Sequence, residues 1–135
     1  MDKYVADGKV RYAFIQFPIL GEASVRAAIA SECAAGQGKF LEYHDALYEQ
    51  SQAKGEALFT GEGLLALAGE QGLDTAGFSA CLTDGRTLAN LRADAAAATA
   101  LGVQGTPSIF INDVMYPGLR DIAFYEQVIE AALSK

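Results

Sequence analysis

Residues 102–113 read Gly-Val-Gln-Gly-Thr-Pro-Ser-Ile-Phe-Ile-Asn-Asp, and Pro107 is the residue to explain. Proline has no N–H to give a ladder, so a Thr-Pro directly ahead of an apolar strand needs a reason. Residues 108–112 and 114–116 flank Asn112-Asp113, a pattern that predicts a hairpin. Just upstream, residues 86–101 are Ala-rich with Leu88, Leu91 and Ala95 on one face, and Gly102 is placed to close that helix. Just downstream, Asp121 opens a last helix whose inner face is expected to hold Ile122, Tyr125, Ile129 and Leu133.

The rest of the chain falls into elements in the same way. Residues 10–17 are β-rich and end at Pro18, which predicts a buried strand. Val25, Ala28, Ile29 and Cys33 recur at helical spacing, and Gly36 and Gly38 break the run. Phe40, Tyr43, Leu47 and Tyr48 mark a second helix. Leu64, Leu65, Leu67 and Ala68 mark a third, capped by Thr60, with the Gly-Glu-Gly at 61–63 read as a turn. Asp74 caps a fourth that carries Phe78, Cys81 and Leu82. The expected order is one strand, five helices, two strands and a helix, in one domain over residues 1–135.

Composition excludes several function classes. The 135 residues are half hydrophobic and one fifth charged, which is globular rather than disordered. Net charge is −7 with no basic cluster, so the chain has few cations to displace phosphate counterions. No nucleic-acid or membrane partner is expected. No apolar run approaches the roughly 20 residues that span a bilayer. The first residues, MDKYVADGKVRY, contain no apolar core of a secretory signal. No His, Cys, Asp and Glu cluster has metal-ligand spacing, and no Gly-rich turn leads from a strand into a helix as a phosphate loop does. Neither a metal nor another cofactor is expected. His44, the single histidine, lies within Glu-Tyr-His-Asp at 42–45 with no nucleophile partner evident, and is read as a packed histidine bonded to a neighbour.

These residues carry a resemblance. GKVRYAFIQFPILGEASVRAAIASECAAGQGKFLEYHDALYEQ, then FSACLTDGR and ALGVQGTPSIFIND, resemble DsbA-like thioredoxin-fold proteins, the relatives of bacterial disulfide oxidoreductases. The resemblance covers nearly the whole chain and rests on the joint pattern. It implies an α/β fold: a truncated thioredoxin-like sheet remnant of three strands with a helical subdomain inserted over about 23–101. It implies that Pro107 is the family's cis-proline, and that Gly105, Thr106 and Pro107 present backbone to an extended peptide substrate. Most such relatives are periplasmic or extracytoplasmic.

The same resemblance exposes a gap. The family's chemistry belongs to a Cys-x-x-Cys at the start of its first helix, where the thiol pKa is lowered and thiolate is available for exchange. No Cys-x-x-Cys occurs in this sequence, and residues 1–8 resemble the last turns of that helix. Cys33 and Cys81 have no metal or redox spacing. As residues they read either as two thiols packed like small hydrophobes or as a pair. Some relatives are similar in having paired cysteines at these places, which implies a structural disulfide.

Three functions are therefore carried forward. The first is a redox-inactive oxidoreductase relative with a residual peptide-binding loop. The second is a fragment of a longer active enzyme, which in-frame upstream sequence with a Cys-x-x-Cys would establish. The third is a non-enzymatic module that self-associates or binds a partner. The resemblance implies a central strand between residues 10–17 and 108–112 that these residues do not supply, and the unpaired edges left behind predict a homodimer.

Overall fold

A computed structural model describes residues 2–134. In chain order the elements are α1 (Asp2–Ala6), α2 (Glu22–Ala35), α3 (Phe40–Lys54), a 3-10 turn (Gly55–Phe59), α4 (Gly61–Glu70), α5 (Thr75–Leu82), α6 (Gly85–Ala100), β1 (Ser108–Ile111), β2 (Val114–Pro117) and α7 (Ile122–Leu133). Their contacts group into two units. One is Gln16–Ala97; the other combines Met1–Ile15 with Ala98–Lys135.

The unit Gln16–Ala97 is helical and has a closed core. α2 packs on α3 and α5, and α4 packs on α5 and on the 3-10 turn. Tyr43, Leu58, Leu64, Leu67 and Phe78 are fully buried between these helices. The Tyr43 ring lies against Phe78, and its hydroxyl donates to the Leu64 carbonyl at 2.9 Å, so the one polar atom carried inward is satisfied. Burial pushes the Tyr43 phenol well above its ordinary range.

Caps set the helix starts. The Thr60 hydroxyl accepts from the Gly63 N–H, and the Asp74 carboxylate accepts from the N–H groups of Ala76 and Gly77. The Gly-Glu-Gly read as a turn is instead the first turn of α4. Gly63 lies against the carbonyls of Ala57 and Leu58, where no Cβ would fit.

The other unit holds α1, the two strands and α7. β1 and β2 form an antiparallel hairpin, with Ile109 opposite Tyr116 and Ile111 opposite Val114. Asn112 takes the positive φ that the tight turn demands, 53°. Asp121 caps α7 by accepting from the Phe124 N–H at 2.7 Å. Tyr4 is buried and its hydroxyl donates to Glu130 at 2.9 Å, fastening α1 to α7. That hydrogen bond, with burial, raises the Tyr4 phenol pKa.

Two expectations are corrected here. Residues 10–17 form no strand, and the sheet has two strands rather than three among the described residues. β propensity reflects packing against a neighbouring strand, and none of the described strands pairs with this segment. It is also not buried: Tyr12 and Ile15 are 41% and 64% exposed. The inner face of α7 is Phe124, Tyr125, Val128 and Ile129, all half-buried, while Ile122 is 76% exposed and Leu133 also faces solvent. Residue 122 is the first residue of α7, directly after the Asp121 cap. Among the described residues the fold is α/β, with its two strands following the helices α1 to α6 and preceding α7.

Candidate functional site

Gly102 ends α6 in the left-handed conformation, φ 87°, and the N–H of Val103 returns to the Ala98 carbonyl at 3.0 Å. Val103 is buried and anchors the chain as it enters the loop. From there Gly105 is half-buried, and Thr106 and Pro107 are exposed. The Thr106–Pro107 peptide is cis. The Ser108 hydroxyl donates to the Gly105 carbonyl at 2.7 Å, folding the loop onto the start of β1. The Pro107 carbonyl accepts from the Gly118 N–H at 2.8 Å, tying it to the end of β2. The loop carries no thiol, imidazole or carboxylate. What it can offer a ligand is backbone and the Thr106 hydroxyl.

The cysteines lie elsewhere in sequence and in the other unit. Cys33 on α2 and Cys81 on α5 form a disulfide, with Cα atoms 5.7 Å apart. Cys33 is 3% exposed and Cys81 is half-buried. The Cys81 sulfur is 3.9 Å from the Thr87 hydroxyl. The Gln37 side chain grips the start of α5, donating to the Asp74 carbonyl at 3.1 Å and accepting from the Asp74 N–H at 2.8 Å. A disulfide is not a nucleophile, because exchange starts from a free thiolate. In this state the pair is a strut between two helices.

His44 stacks near Phe40 and Tyr48, with ring centroids 5.6 and 4.9 Å away, and its Nδ1 lies 3.0 Å from an Asp45 carboxylate oxygen. A polar recess of about 180 Å³ lies between α2 and α6, lined by Glu32, Thr87, Asn90, Leu91 and Asp94. One Glu32 oxygen there accepts from Gln16 at 3.2 Å. Among the described residues no three His, Cys, Asp or Glu side chains converge to hold a metal ion. Among the described residues no helix is long and apolar enough to cross a membrane.

The unit division separates what the sequence singled out. Gly105, Thr106 and Pro107 lead directly into β1, while the bridge belongs to the helical core. Nothing in the spacing of the two cysteines could have paired them, since α2 and α5 meet only through tertiary packing.

Comparison with known proteins gives the class. The family model described as Thioredoxin matches residues 1–131. The chain is 31% identical over 115 residues to a "Probable disulfide bond formation protein D" of Bacillus anthracis, covering 82% of this chain and 53% of that protein. It thus spans about half the length of the curated relatives it matches. Among solved structures, a thioredoxin-like oxidoreductase from Silicibacter pomeroyi DSS-3 superposes with TM-score 0.77 at 30% identity, covering 97% of this chain and 73% of that one. The thiol-disulfide exchange protein alpha-DsbA2 from Wolbachia pipientis gives TM-score 0.78 at 28% identity, covering 97% and 70%. The chain belongs to the thioredoxin family, in its DsbA-like branch.

Proposed function

We propose that this chain is a redox-silent DsbA-like protein. In this reading the loop at Gly105, Thr106 and Pro107, with the strand that follows, holds an extended peptide or protein segment by backbone pairing. The names of its relatives speak of disulfide bond formation and thiol-disulfide exchange. That chemistry needs a thiolate to attack and a partner thiol to resolve the mixed disulfide.

The observation that carries the reading is the bridge. Both cysteines of the chain are engaged with each other, and Cys33 is sealed inside the helical core. Thiolate attack at the half-buried Cys81 would expel a Cys33 thiolate into apolar surroundings, where a charged sulfur is disfavoured. A bridge of this kind also fits an oxidising compartment.

The test is an insulin-reduction or dithiol-oxidation assay on the purified chain. The expected rate equals that of the uncatalysed reaction. Turnover that Cys33→Ser abolishes would assign the bridge a catalytic role and end the reading.

A further inference from the structure

We propose that the Cys33–Cys81 bridge is a one-sided modification site: a small cationic thiol attacks the Cys81 sulfur and stays there as a mixed disulfide, while Cys33 is released into the core as a thiol. The inference rests on reading the bridge as a strut rather than a catalyst, since a single stoichiometric exchange is not turnover.

The two sulfurs have unlike surroundings. Cys33 belongs to the buried cluster of the helical core, and Ala30 and Ala34 beside it on α2 are fully buried. Cys81 is half-buried and packs against that cluster. Exchange depends on access to the sulfur that is attacked, so Cys81 is the atom an incoming thiolate reaches. The thiolate sulfur bonds to Cys81 Sγ and the Cys33–Cys81 bond breaks. Its electron pair leaves on Cys33, which takes a proton from water. The attacking thiol is oxidised to the disulfide level and Cys33 is reduced. Burial favours the neutral thiol over the thiolate, so Cys33 is a slow leaving group and the exchange is slow.

The class of thiol follows from the space beside Cys81. The Thr87 hydroxyl, 3.9 Å from the Cys81 sulfur, also lines the recess between α2 and α6. At about 180 Å³ this recess is smaller than the roughly 300–1,000 Å³ of sites for drug-sized ligands, and it suits a thiol of a few heavy atoms. Its charged lining is Glu32 and Asp94, and among the described residues no lysine or arginine lines it. The nearby Asp84 is already paired with Arg86 at 2.7 Å. The two recess carboxylates draw in a cation and repel an anion.

The experiment offers the folded full chain three thiols of similar size: cysteamine, 2-mercaptoethanol and 2-mercaptoethanesulfonate. Free thiols are then trapped with a maleimide in acidic denaturant, and the adducts are mapped by mass. The expected product carries the mixed disulfide on Cys81 and the maleimide on Cys33. Rates per thiolate should fall several-fold from the cationic through the neutral to the anionic probe at low salt, and the spread should narrow as salt screens the carboxylates. In urea both cysteines should take the adduct and the charge order should vanish. Two variants check access without the bridge. Cys33→Ala, shown by circular dichroism to stay helical, should react with cystamine at Cys81, whereas Cys81→Ala should leave Cys33 unmodified until urea is added. Native adducts on Cys33 or on both cysteines, exchange only in urea, or rates without a charge order would each overturn the assignment. Catalytic insulin reduction would end the redox-silent reading by itself, because the position of the adduct is read independently of turnover.

Discussion

The two units of this protein satisfy their apolar residues to very different degrees. Gln16–Ala97 closes a core around Tyr43, Phe78 and five buried leucines, holds it with a disulfide, and caps its helices with Thr60 and Asp74. In the unit of Met1–Ile15 and Ala98–Lys135, the described buried apolar residues are Tyr4, Ala98 and Val103, and α7 buries none. The contrast has a physical origin. A helical bundle completes its hydrogen bonds within each helix and needs only side-chain packing. A sheet layer needs neighbouring strands, and two strands alone are marginal in water. The helical unit is therefore where stability resides, and the hairpin unit is where an added strand would have most to gain.

The sharpest way to break this contrast is to cut a residue from each side. Phe78→Ala empties a fully buried ring site and should cost about 3–5 kcal/mol in denaturant unfolding. Ile122→Ala removes a mostly exposed side chain and should stay within about 0.5 kcal/mol. Equal losses would mean that the hairpin unit has a core of comparable weight.

Next in size is the bridge. Cys33→Ala/Cys81→Ala releases a constraint on residues 48 apart. Its loss should lower stability by roughly 2–4 kcal/mol, as chain entropy predicts. No change in the denaturation midpoint would show that the strut is not holding α5 on α2.

The smallest expected effect is electrostatic. Hydrogen bonds from Gln50 and then from Lys54 hold the Glu70 carboxyl below its ordinary range, and Arg86 does the same for Asp84. A carboxyl with a lower pKa folded than unfolded takes its proton first in the unfolded chain. Its contribution is therefore present above the ordinary carboxylate pKa of about 4 and is lost as pH falls through the lower folded value. Both groups sit at the surface, so Glu70→Gln should flatten the acid limb of a stability–pH curve only slightly. A steep change near neutral pH would contradict this assignment.

Much of the fold was legible because its signals are local. Caps at Thr60, Asp74 and Asp121, the left-handed Gly102 and the Asn112-Asp113 turn are written in one or two residues each, and the structure uses all five. The failures depend on neighbours. Residues 10–17 have strand composition, but no strand among the described residues pairs with them. Tyr48 has helical spacing with the core face of α3, yet is 71% exposed. The 3-10 turn at Gly55–Phe59 has no usable period, although it buries Leu58 completely. The site was less legible still. Pro107 stands out as a proline before a strand, but the expectation of its cis bond came from resemblance, and so did the pairing of Cys33 with Cys81.

Native-state hydrogen exchange on the non-reduced protein tests the contrast between the units most directly, since it reads each segment in the intact chain. The slowest amides should lie in α2, α3 and α4 around Ala30, Leu47 and Leu67, opening only with global unfolding. Amides of residues 10–15 should exchange faster by orders of magnitude. Under the same conditions, uniform slow exchange across both units, or protection strongest in β1 and β2, would contradict the account.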